Sequence, residues 1–144
     1  MTGGNDLRLR PELVTAILAH ARAELPNEAC GLLAGSTASG RATSFHPARN
    51  ADASSRRYSL DPDDLVRITF AIERAGHDLL AIVHSHPRTG AEPSATDRRA
   101  ARLYPGTPQL IVSLAVSRGG SAAAPIRAWR IGTDRLEELA VRIG

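Results

Sequence analysis

Apolar positions along this chain switch between strand-like and helix-like spacing, which predicts mixed α and β structure. Leu7 to Arg10 reads as a short first strand. Pro11 suits the first turn of a helix, where its missing N–H has no partner to lose. Leu13, Val14, Ile17, Leu18 and Ala21 then recur at helical spacing, and Pro26 ends that helix. Glu28 to Gly35, a run of small and apolar residues closing on glycine, predicts a buried strand. A turn over Ser36 to Gly40 and a return strand over Arg41 to Asn50 follow.

Leu60-Asp-Pro-Asp-Asp64 is a helix start, with Asp61 as N-cap, Pro62 at the first position and acids at the positive end of the dipole. The apolar face expected for it is Leu65, Ile68, Phe70, Ile72 and Ala75, with Gly76 as the stop. Leu79 to His84 predicts a buried strand, then a Pro/Gly loop from Pro87 to Pro93. Ser94-Ala-Thr-Asp97 opens a short helix running towards Tyr104. Leu110 to Val116 and Ile126 to Ile131 read as strands joined by a Ser/Gly/Ala-rich loop around Arg118 to Pro125. The tail from Asp134 to Ile143 fits a strand or a helix, because Leu136, Leu139, Val141 and Ile143 follow neither period cleanly.

The length of 144 residues fits one domain spanning the whole chain, and 42% hydrophobic residues supply a core that a disordered chain lacks. All 18 basic residues are Arg and stand against 15 acidic ones. The net charge of +3 is too small for a polyanion-binding surface, so no nucleic-acid partner is expected. One Cys excludes an internal disulfide framework and an all-Cys zinc site. Apolar stretches such as Leu79 to Val83 are far shorter than the ~20 residues of a membrane span. Met1 to Asp6 shows no basic region leading into an apolar run, so the chain reads as a soluble cytoplasmic domain without membrane attachment.

The chemistry gathers in His84-Ser-His86, Ser94-Ala-Thr-Asp97 and, well upstream, Glu28. Residues two apart in a strand point the same way, so His84 and His86 can offer both imidazoles to one ion. Asp97, folded back at the start of the next helix, would add an oxygen ligand. Two His and one carboxylate with a position left for water is the ligand set of catalytic rather than structural zinc. A further carboxylate outside that set could take the proton of the water and pass it to a leaving amine. Taken singly, each piece has a plainer reading. A lone His-x-His is more often structural, and Ser94 with Asp97 has the spacing of a helix capping box. Glu28 could be a surface acid, and Cys30 a small buried apolar residue.

Taken together, Glu28, His84-Ser-His86, seven intervening residues, Ser94 and Asp97 match without a gap the motif of the JAMM (MPN-plus, Mov34/JAB) metalloproteases, which the chain resembles over roughly Leu7 to Ile131. It is most similar to the short prokaryotic members. Asn27-Glu-Ala-Cys-Gly-Leu-Leu-Ala-Gly35 resembles the actinobacterial branch that releases cysteine from a ubiquitin-like sulfur-carrier protein. The resemblance implies an α/β fold of the cytidine-deaminase-like kind, a curved, mostly antiparallel sheet flanked by helices. It also implies one zinc ion per chain held by His84, His86 and Asp97, with Glu28 as general base and then acid. Ser94 would donate to the oxyanion, and Ser85, facing the other side of its strand, would be structural.

The activity so implied is hydrolysis of a peptide or isopeptide bond at the Gly-Gly tail of a ubiquitin-like or sulfur-carrier protein, with the substrate, the bond type and a homo-oligomeric state left open. Two other readings belong to the same fold. Non-catalytic MPN scaffolds characteristically lack the ligands that are all present here. The RadC family, linked to DNA, shares the His-x-His-Pro and Pro-Ser-x-x-Asp pattern seen at Pro87 and Pro93, but carries an extra helical segment for which the residues before His84 leave no room.

Overall fold

The computed structural model describes residues 6–115 and 125–144. The residues Met1 to Asn5, on which the absence of a leader was read, lie outside the described residues, as do Val116 and most of the Arg118 to Pro125 loop. One mixed sheet organises the rest: β1 (Asp6–Leu9), β2 (Cys30–Gly35), β3 (Ala42–Ala48), β4 (Asp78–His86), β5 (Gln109–Ser113), β6 (Ile126–Ile131) and β7 (Leu136–Ile143), in the order β1-β7-β6-β5-β4-β2-β3. Only β1 with β7 and β4 with β5 run parallel; the other four pairings are antiparallel. The sheet curls far enough for its two edge strands to approach, with Arg8 bridging Arg41 and the Arg8 N–H donating to the Gly40 carbonyl at 2.8 Å. Gly40 serves that closure. Its φ of +74° suits glycine, and a Cβ there would strike the Asp6 carbonyl.

Helices cover both faces. On one side α1 (Pro11–Ala23) buries Leu13, Ile17 and Ala21 against Leu33, Val83, Leu110 and Val112. On the other, α2 (Pro62–Arg74) buries Ile68 and Ile72 against Cys30, Leu32 and Ile82. The short α3 (Ala95–Ala100), continued by a 3₁₀ turn over Ala101–Leu103, sits near Ile111 and Trp129. With both faces covered, β2 is buried at every position, which explains its unbroken run of small apolar residues.

Four sequence expectations are corrected. Glu28 lies outside the strand it was assigned to, in the extended segment ahead of β2. Phe70 is 58% exposed rather than part of the α2 core face, because at 100° per residue it lies about 200° around the helix from Ile68. Ala75 is likewise exposed, as the C-cap of α2. Strand β5 ends at Ser113, short of the expected Val116. The undecided tail is β7, held between β6 and β1. Among the described residues no helix is long and apolar enough to cross a membrane.

Candidate metal centre

Strand alternation sets the centre. Along β4, Val83 faces the α1 core while Ile82 faces the α2 core, so His84 and His86 emerge on the α2 side at the strand's end. Both imidazoles are buried, as are the carboxylates of Glu28 and Asp97. One ligating atom from each of these four residues lies within 4.8 Å of all the others. Residues far apart in sequence thus converge at one buried point.

Asp97 is brought in by the start of α3. Ser94 Oγ accepts from the Asp97 N–H at 3.0 Å, and Asp97 Oδ2 accepts from the Ser94 N–H at 2.9 Å, a complete capping box. The cap aims the same carboxylate at the histidines: Oδ2 lies 2.9 Å from His86 Nε2 and Oδ1 4.0 Å from His84 Nε2. His86 Nδ1 donates to the Gly90 carbonyl at 2.7 Å, which leaves Nε2 as the nitrogen turned into the centre. Burial opposes the charged form of His86, but the Asp97 carboxylate and the Gly90 carbonyl outweigh it and hold its pKa above the ordinary value. Burial likewise opposes the Asp97 anion; the hydrogen bond with His86, the nearby His84 and the Ser94 N–H overcome it and lower its pKa to about 2.

Glu28 arrives from the segment before β2, with its backbone pinned on both sides. Its N–H donates to the Ser54 carbonyl at 2.8 Å, and its carbonyl accepts from Asn50 Nδ2 at 3.0 Å. Next to it, Ser85 Oγ accepts from the Ala29 N–H at 2.8 Å, and the Ser85 N–H donates to the Ala29 carbonyl at 3.0 Å. Ser85 therefore faces away from the centre and holds the Glu28 segment to β4. Glu28 Oε1 ends 3.6 Å from His84 Nδ1.

Glu28 Oε1 and both ring nitrogens of His84 are buried with no hydrogen-bond partner. Three such orphans at one point are costly unless something else satisfies them. A cation bound to one His84 nitrogen, together with His86 and Asp97, would satisfy that nitrogen, and two imidazoles with a carboxylate match the donors that zinc prefers. The residues present therefore fit a metal ion.

Two supporting residues escaped the sequence reading. Tyr58 stacks on His84 with ring centroids 4.5 Å apart and donates from its hydroxyl to Gln109 Oε1 at 3.1 Å. Asn50, also buried, ties the 51–59 loop to Glu28. The available signal was weak: an Asn directly after a return strand often closes a loop through its own side chain. Cys30, paired in register with His84, is buried inside the sheet, and burial pushes its thiol up to about 12, so it behaves as an apolar residue. A cleft of about 850 Å³ opens beside the centre, bounded by Glu28, His86 and Ser94 on the side of the cluster and by the 52–57 and 87–89 segments elsewhere.

Residues 10–132 match the family described as prokaryotic homologs of the JAB domain. A desampylase of Haloferax volcanii is 43% identical over 112 residues, 74% of this chain and 80% of the relative. A CysO-cysteine peptidase of Mycobacterium bovis is 42% identical over 95 residues, 66% of this chain and 65% of the relative, so the chain spans just under two thirds of that peptidase's length. The solution structure of a Desulfitobacterium hafniense protein superposes with a TM-score of 0.83 at 32% identity, covering 96% of this chain and 92% of that one. A JAB1/MPN domain protein of Archaeoglobus fulgidus shares the fold, with a TM-score of 0.59 at 17% identity over 96% of each chain.

Proposed function

The chain belongs to the prokaryotic JAB-domain family, and from that premise we propose that it is a zinc-dependent peptidase cleaving an amide at the C-terminal tail of a ubiquitin-like or sulfur-carrier protein. The observation that carries this reading is the buried group of Glu28, His84, His86 and Asp97 with its unsatisfied atoms, beside a cleft of about 850 Å³. Relatives named as a desampylase and as a CysO-cysteine peptidase support the reaction class.

His84, His86 and Asp97 would hold the metal, one ion per chain, with the His86 tautomer set by Gly90 and the Asp97 rotamer by its capping box. Zinc held there would polarise the scissile carbonyl and bring the pKa of a water towards ~7. Glu28 is the proton carrier. Its carboxylate is buried beside His84 and carries a free oxygen, so it takes the proton of the attacking water and returns it to the leaving amine. Ser94 lines the cleft and spends its hydroxyl oxygen on the cap, which leaves the hydroxyl hydrogen for the developing oxyanion. An extended Gly-Gly tail suits the cleft because residues without Cβ let the backbone approach the metal closely. A cytoplasmic location accords with this class of partner.

The test is hydrolysis of carrier-protein adducts by metal-free and zinc-restored protein. Activity lost on chelation and recovered with about one equivalent of zinc supports the reading. Activity indifferent to chelation defeats it.

A further inference from the structure

The cleft beside the metal centre carries more positive charge than the reaction asks for. Arg56, Arg57 and Arg88 all line it. Arg57 is engaged by Asp52, Nε to Oδ2 at 3.4 Å. The guanidinium groups of Arg56 and Arg88, both exposed, have no ion pair or hydrogen bond among the described residues. Apart from Glu28 itself, the only acid lining the cleft among the described residues is Asp52, and it is already taken by Arg57 and by the Ser59 hydroxyl at 2.9 Å.

These two cations are not on slack chain. Arg88 sits in the turn after β4, where three successive carbonyls are held. His86 Nδ1 donates to Gly90 at 2.7 Å, Ser113 Oγ donates to Thr89 at 2.7 Å, and Trp129 Nε1 donates to Ala91 at 2.8 Å. Arg56 sits in the 51–59 loop, whose ends are joined by Asn50 and by the Ala51 N–H to Ser59 carbonyl bond at 2.8 Å. Its own N–H is held by Ser54 Oγ at 3.1 Å. Two anchored loops thus place two arginines, unpaired among the described residues, on the wall of the cleft that also touches Glu28, His86 and Ser94.

We infer that Arg56 and Arg88 are specificity residues that recognise a free α-carboxylate on the leaving group, so that the preferred bond is the one joining the carrier tail to a terminal amino acid. This deepens the proposed peptidase reading and rests on it. A guanidinium binds a carboxylate through parallel charge-assisted hydrogen bonds, whereas an isopeptide-linked lysine offers only amidated backbone there. The residues bind substrate and do not take part in proton transfer.

The test uses zinc-loaded full-length protein and two synthetic tails ending in Gly-Gly-Ala, one with a free C-terminal carboxylate and one amidated. The expected result is a preference of about tenfold in kcat/KM for the free acid, falling to about twofold or less in Arg56→Gln/Arg88→Gln, with the change in KM and the amide's rate unaffected. Raising salt from 50 to 500 mM shrinks the preference in the wild type alone. Equal cleavage of acid and amide by the wild type overturns the inference and leaves the peptidase reading standing. So does an equal loss on both tails in the double variant, which would make the residues structural. Cleavage of neither tail, nor of an isopeptide-linked carrier, by zinc-loaded wild type strikes the peptidase reading itself.

Discussion

Asn50→Ala should unfasten the wall of the cleft without touching a metal ligand. Asn50 is 6% exposed, and its side chain makes four bonds of 3.0–3.1 Å: to the carbonyls of Glu28 and Arg57 and from the N–H groups of Asp52 and Ser59. A net contribution of about 0.5–1.5 kcal/mol per bond gives roughly 2–6 kcal/mol for the set. Water reaches part of the exposed loop after truncation, so the lower end of that range, about 2–3 kcal/mol, is expected. Against a total stability of about 5–15 kcal/mol this is a large loss. With a urea slope of about 2 kcal/mol/M, the unfolding midpoint should fall by roughly 1–1.5 M. Zinc content should stay near that of the wild type, since His84 and His86 are on β4 and Asp97 on α3. Turnover should drop, because the Glu28 backbone loses the Asn50 donor. A midpoint within about 0.3 M of wild type would show that water replaces Asn50 freely and refute the argument.

Other outcomes follow from the same geometry. His84→Ala, His86→Ala and Asp97→Ala should each abolish stoichiometric zinc by elemental analysis; full occupancy in any one removes that residue from the ligand set. Ser94→Ala should lower kcat by ~10²–10³ at nearly constant KM and cost about 1 kcal/mol of stability through the lost cap. If only stability changes, capping is its whole role. Zinc affinity should weaken as pH falls through the raised His86 pKa, because proton and metal compete for Nε2, and Asp97, lowered to about 2, contributes nothing to that loss. In the metal-free protein the signs differ. The raised His86 stabilises below its unfolded value of about 6.5, and the lowered Asp97 stabilises above about 3.8, so this pair helps most between about pH 4 and 6.5. Cys30, pushed up to about 12, should resist thiol reagents at pH 8 until the chain unfolds.

Much of the centre was legible because its signals are local. Two histidines at a strand period, following an apolar run, had to share a face, and Ser94 with Asp97 carried the spacing of a cap that also orients the Asp97 carboxylate. Capping and approach to the histidines are competing readings of Ser94 and Asp97 in the sequence, yet one hydrogen-bonded arrangement makes the cap and turns the Asp97 carboxylate towards His86. What the chain hid depended on distant partners. Asn50 reaches back 22 residues to Glu28, and Tyr58 matters only because β4 brings His84 under its ring. Strand β7 buries only Leu139 within its own span, so its pattern resembles neither amphipathic period; pairing with β6 and β1 decides it. Hydrophobicity alone places Phe70 inward, but its helical angle turns it to solvent.

Glu28→Gln in zinc-loaded protein tests the central claim most directly. The amide keeps the shape and buried position of the carboxylate but cannot accept a proton. One zinc per chain should remain, binding of the carrier tail should persist, and hydrolysis should fall by ~10²–10⁴. Near-normal hydrolysis with zinc retained would contradict the account by placing the proton carrier elsewhere, and loss of zinc would make Glu28 a ligand.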